Sequence, residues 1–82
     1  MTENEHLEKL LNVVAETLNV RKHELSRHSS RDSLKEWDSL GHIILILAIE
    51  REFQYKFSID QIEKINSIAD IVDCVSHESH VK

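Results

Sequence analysis

Asp38, Ser39 and His42 are the residues of this chain whose types and spacing could do chemistry. A serine hydroxyl next to a carboxylate, with an imidazole three positions on, has the residue types of a nucleophilic triad. The spacing argues against one. His42 could reach the Ser39 hydroxyl or a phosphate on it, but Asp38 adjoins the serine and cannot orient the imidazole from its far side. A domain of 82 residues also leaves little room for a substrate pocket beside a helix start. The pattern suits an ester site better. Ser39 opens the densest apolar stretch of the chain, Leu40 to Phe53, and so falls in the first turn of a helix. There the free backbone N–H groups and the positive end of the helix dipole favour an attached phosphate. His42 is then a neighbour of that phosphate, or else a histidine of the helix surface or the core edge.

The elements that must position this serine are helical. Zero prolines and one glycine leave few of the turn residues that a small sheet needs. Leu7, Leu10, Leu11, Val14 and Leu18 mark one buried face of a first helix ending near Asn19. Residues 20 to 37 lose that period, collect Ser26, Ser29, Ser30, Asp32 and Ser33, and keep Val20, Leu25 and Leu34 as isolated anchors, the pattern of a long ordered loop. After the connector Gln54 to Phe57, Ser58 and Gln61 read as a capping box opening a short third helix with Ile62 and Ile65. Ser67 and Asp70 read as a second box, opening a last helix with Ile68, Ile71, Val72 and Val75 on one face. Residues 77 to 82 are expected to fray. The fold class predicted is all-α: a small four-helix bundle, three main helices plus a short third one, with a long loop between the first and second. One domain is expected over residues 1 to 82, with its core at about 5 to 76.

The Asp38-Ser39-Leu40 tripeptide resembles the signature of the acyl carrier protein family, which includes the peptidyl carriers. The Glu50-Arg51-Glu52-Phe53 helix end, Ser58-Ile59-Asp60 and the Ile68-x-x-Ile71-Val72 tail fall where that family has its counterparts, so the resemblance covers roughly residues 7 to 75. It implies that Ser39 carries a 4'-phosphopantetheine arm through a phosphodiester, with acyl or aminoacyl groups held on the arm's thiol as thioesters. It implies that Asp38 helps a phosphopantetheinyl transferase place its metal ion and coenzyme A during loading. It also implies acyl- or aminoacyl-loading enzymes and downstream synthases as partners, and a carrier that is itself no enzyme.

A count at about 100° per residue divides the second helix. Leu45, Ile46, Ile49 and Phe53 form one stripe, and Leu40, Ile43, Ile44 and Leu47 form another roughly 150° away by the same count. The first aligns with the family's core positions, so Leu40, Ile43, Ile44 and Leu47, with Glu50 and Arg51, are expected to form the face that partners see. The other reading buries both stripes under the surrounding helices. Fatty-acid carriers usually show acidic residues on this face, where this chain has Gly41, Ile44 and Arg51, with Glu50 and Glu52 remaining. The family's glycine just before the signature is also absent, replaced by Lys35-Glu36-Trp37. These departures favour a specialised pathway, such as polyketide, nonribosomal peptide or polysaccharide acylation, over bulk fatty-acid synthesis. A reading from another class stays open, in which Asp38-Ser39 is only a helix cap in an interaction module.

Fifteen acidic against ten basic residues give a formal charge of −5, which argues against nucleic acid as a partner. Arg21, Lys22, Arg27, Arg31 and Lys35 gather in the long loop, as a partner-steering patch or as an ordinary solvated loop. Trp37 either covers the base of the arm or anchors the loop on the core. Gly41 either lets another protein's backbone approach Ser39 or is a tolerated neutral residue. Six histidines raise the question of a metal, but His77-Glu78-Ser79-His80 lacks a second ligand pair at zinc spacing and reads as a polar terminus. The single cysteine, Cys74, forms no intramolecular disulfide and reads as a packing residue. With a polar start unlike a leader and no apolar run long enough to span a bilayer, a cytoplasmic monomer is expected.

Overall fold

A computed structural model describes residues 3–76 and contains four helices: α1 (Glu3–Leu18), α2 (Ser39–Phe53), α3 (Ile59–Lys64) and α4 (Ile68–Ser76). Among the described residues there is no strand, only an isolated antiparallel bridge between Ser30 and Ser67. The predicted four-helix architecture is therefore the observed one. The terminal residues expected to fray, with the His77-Glu78-Ser79-His80 run, lie outside the described residues.

Each helix is bounded by local chemistry. α1 ends where Asn19 turns left-handed at φ 59°, a conformation that asparagine tolerates. α2 begins at the N-cap Asp38 and ends at Gln54, also left-handed at φ 52°. At α3 the Ser58 side chain accepts from the Gln61 backbone while the Gln61 side chain accepts from the Ser58 backbone. At α4 the Ser67 hydroxyl accepts from Asp70 N–H and the Asp70 carboxylate accepts from Ser67 and Asn66 N–H. Both capping boxes read from the sequence are thus formed.

The core lies where α1 packs on both α2 and α4. Leu10, Leu11, Val14 and Leu18 of the predicted α1 stripe are buried, Leu7 is partly buried, and Val13 joins them. All four predicted α4 residues, Ile68, Ile71, Val72 and Val75, are buried. From α2 come Leu45, Ile46 and Ile49, with Phe53 packed at the margin. Burying apolar side chains of this size stabilises the fold by about 1.5–3 kcal/mol each before entropy is subtracted.

The long connection between α1 and α2 is ordered, and it contains a 3-10 turn at Lys22–Glu24 that its period did not indicate. Leu25 and Trp37 are buried in the core, and Val20 and Leu34 pack against it. The middle of the loop runs beside the start of α4. Arg31 N–H donates to Asn66 O, Ile68 N–H to Ser29 O, and Ala69 N–H to Arg27 O, each at 3.0 Å. The last two bonds use amides at the start of α4 that have no acceptor within the helix, and all three fasten the loop to that end of the bundle.

Candidate functional site

Ser39 is the first residue of α2 and is exposed. The residue before it sets the geometry. Asp38 has extended backbone at φ −88° and ψ −168°, and its Oδ1 accepts from Gly41 N–H at 2.8 Å. Its backbone carbonyl accepts from His42 N–H at 2.7 Å. The aspartate is therefore an N-cap in fact as well as in type, and it holds the first turn with the serine side chain outside. The Ser39 hydroxyl makes no hydrogen bond among the described residues. It is free to be esterified without loss of an internal bond, at the positive end of a 15-residue helix.

The two residues that bracket this turn are locked beneath it. Trp37 is only 1% exposed and His42 only 5%. The indole Nε1–H donates to His42 Nδ1 at 2.9 Å, and the other ring nitrogen, Nε2, lies 2.8 Å from Ile62 O. An indole N–H only donates, so Nδ1 is the acceptor and Nε2 carries the proton that it gives to the Ile62 carbonyl. Both imidazole nitrogens are engaged. Of the three places open to His42, beside a phosphate, on the helix surface or at the core edge, it takes the last, because it faces the core with Leu45, Ile46 and Ile49. Trp37 does not cover the serine; it anchors the loop, as the second of its two readings has it. With both imidazole nitrogens committed elsewhere, a Ser39–His42 nucleophilic pair has no geometric basis.

Gly41 has a sharper role than either reading gave it. A Cβ there would lie 2.5 Å from the Glu36 carbonyl oxygen, with Asp38 Oδ1 at 3.2 Å and Leu18 Cδ2 at 3.4 Å. The backbone that approaches is the chain's own loop. Only glycine lets Glu36 lie against the first turn of α2 and deliver Trp37 to the core.

Beyond the first turn, Leu40, Ile43, Ile44 and Leu47 are all exposed, Leu40 at 69% and Leu47 at 61%. The reading that buried both stripes of α2 is thereby set aside. Ile59, the first residue of α3, is exposed as well, and its apolar character did not mark it as such in the sequence. Glu50 is half-buried, and its Oε2 accepts from Phe57 N–H at 2.9 Å, so one side of its carboxylate fastens the connector after α2. Arg51 is exposed, and between it and Thr17 of α1 lies an open groove of roughly 380 Å³ that is also lined by Ile44, Leu47 and Ala48.

Cys74 is partly buried, 3.7 Å from Gln61 Nε2. Burial first, then the charges of Asp70 and Asp73, push its thiol pKa above the ordinary 9.0. Among the described residues no group of three or more histidine, cysteine or acidic side chains is gathered as a metal site, and no helix is long and apolar enough to cross a membrane.

Residues 8–75 match the family model for the phosphopantetheine attachment site. Among curated relatives, the chain is similar to the acyl carrier protein of Coprothermobacter proteolyticus, at 28% identity over 92% of both chains. It is 30% identical to that of Thermosynechococcus vestitus over 95% of this chain and 96% of the relative. With that of Cyanidioschyzon merolae it shares 32% identity over 92% of this chain and 82% of the relative. Its fold matches the solution NMR structure of holo acyl carrier protein from Geobacter metallireducens with a TM-score of 0.81 and 25% identity, over 92% of this chain and 86% of that one. A family match across most of the chain, a shared fold and relatives aligned nearly end to end agree: the chain belongs to the acyl carrier protein family, whose members are phosphopantetheine-bearing carriers and not enzymes.

Proposed function

We propose that Ser39 bears the 4'-phosphopantetheine arm and that the protein presents acyl groups on it to successive enzymes of a specialised pathway. One observation carries the site: an exposed, uncommitted hydroxyl on the first residue of α2, immediately after an aspartate that caps the helix. The residues present fit the group. Esterification at Ser39 sets the phosphate at the positive helix end, and nothing among the described residues must move to admit it. The arm supplies a thiol that holds the cargo as a thioester. The chain's own Cys74 stays protonated at neutral pH and so does not compete for that cargo.

Asp38 has two tasks in this reading. It holds the turn through Gly41 N–H, and its second carboxylate oxygen is left to help a phosphopantetheinyl transferase place its metal ion and coenzyme A. Leu40, Ile43, Ile44, Leu47 and Arg51 form the face for loading and synthase enzymes, with Glu50 at its margin. A face so apolar suits dedicated partners better than the cation-bearing enzymes of bulk fatty-acid synthesis, because charge complementarity governs encounter and selectivity. The carrier works as a monomer in the cytoplasm, raising the effective concentration of a tethered thioester. An aminoacyl or peptidyl cargo is the second reading, and the enzyme that loads the arm, an amino-acid-adenylating ligase or an acyltransferase, separates the two.

The test is intact mass after incubation with coenzyme A, magnesium and a broad-specificity phosphopantetheinyl transferase, beside Ser39→Ala. The wild type is expected to gain one arm and the folded mutant none. A gain by the mutant would move the site elsewhere, and no gain by either would remove the carrier role from Ser39.

A further inference from the structure

Leu40, Ile44, Leu47 and Arg51 stand at i, i+4, i+7 and i+11, a single line along the solvent side of α2. The first three are exposed apolar side chains and the fourth is an exposed guanidinium. Among the described residues Arg51 has no ion pair, since the two salt bridges are Lys22–Glu8 and Lys64–Asp60. The only acids of α2, Glu50 and Glu52, lie about 100° to either side of Arg51. Glu50 is turned to Phe57 N–H. Arg51 also lines the groove between α1 and α2, together with Thr17, Ile44, Leu47 and Ala48.

We propose that this face binds an amphipathic partner helix whose apolar side chains lie on Leu40, Ile44 and Leu47 and whose carboxylate pairs with Arg51. The proposal rests on the carrier reading above and names the chemistry of its partner. An apolar stripe gives affinity by burial, and a fixed cation at one end sets direction and excludes a partner with a cation there. A guanidinium beside an apolar groove suits a carboxylate especially, since its planar fork makes paired hydrogen bonds and its stem packs on the groove. A second copy of this chain is a poorer occupant, because each copy brings a net charge of −5.

The experiment is an amide NMR titration of the unmodified full chain with two synthetic helical peptides. Both carry leucines at i, i+3, i+4 and i+7, and they differ only in a Glu or a Lys placed after the stripe. The Glu peptide is expected to shift the amides of Ile44, Leu47, Arg51 and Thr17 and to bind about three- to fivefold tighter than the Lys peptide. Arg51→Gln should erase that preference, Arg51→Glu should reverse it, and Leu47→Asp should weaken both peptides alike. Equal affinity for the two peptides, no binding, or shifts mapped to another surface would overturn the proposal. So would the same shifts arising from protein concentration alone, which assign the face to a second copy, or from an acylated arm without peptide, which assign the groove to cargo. Because the titration uses the chain without its arm, failure to load Ser39 and failure of this face give separate results.

Discussion

His42 serves two buried partners at once, so its removal should cost more than one hydrogen bond. His42→Leu would leave the Trp37 indole N–H without its acceptor and the Ile62 carbonyl without this donor, in a region where Trp37 is 1% exposed. Each unsatisfied group costs about 1–3 kcal/mol, so a loss of roughly 2–4 kcal/mol in urea unfolding is the expected outcome. The indole N–H should also lose its protection from solvent exchange. A loss below about 0.5 kcal/mol with protection unchanged would show that neither bond matters, as for an ordinary surface substitution. The place of His42 was legible in the sequence. It sits three and four residues before Leu45 and Ile46, squarely in the core stripe, and its polarity alone argued for the surface. Trp37 offered the matching sign, an indole that needs an acceptor when buried. Gly41 offered none, because the carbonyl that demands a glycine belongs to Glu36 and arrives only when the loop folds.

At the scale of elements, α3 is the piece most dependent on its ends. Six residues are far too few for a stable isolated helix, and every one of them lies in a terminal turn. Its start is held by the reciprocal Ser58–Gln61 bonds, and Gln61 Nε2 also donates to the Tyr55 hydroxyl at 2.9 Å. Ser58→Ala should therefore destabilise the protein by about 1 kcal/mol and raise hydrogen exchange at the Ile62 and Ile65 amides before it affects α1. Uniform acceleration across all four helices would instead mean that α3 never opens by itself. Both capping boxes could be read from the sequence because their partners are three residues apart. The 3-10 turn at Lys22–Glu24 and the course of the loop could not. The loop is held by Arg27, Ser29 and Arg31 against Asn66, Ile68 and Ala69, and no local pattern records pairs 35 to 42 positions apart. For α2 both stripes were legible, and the family resemblance placed Leu40, Ile43, Ile44 and Leu47 on the outer side, where the structure has them.

The molecule as a whole is joined through the residues under Ser39. Trp37 belongs to the loop, His42 to α2 and Ile62 to α3, and one chain of hydrogen bonds links them. The same loop is bonded to the start of α4, and α1 packs on α2 and α4, so each element is fastened to at least one other. A chain of 82 residues with one shared core should then unfold as a unit. Trp37 is the only tryptophan, and it lies in the loop rather than in a helix, which makes its fluorescence a report on the part of the fold most able to detach. The expected outcome is that the urea transition followed by Trp37 fluorescence coincides with the transition followed by far-UV circular dichroism, in midpoint and in slope. If the loop were a separate layer, fluorescence would change at lower urea while the helices persisted. Ser39 would then sit at the end of a helix whose approach is mobile. Coincidence would mean instead that the serine is presented on a rigid frame, which leaves the reach of the arm to the arm itself.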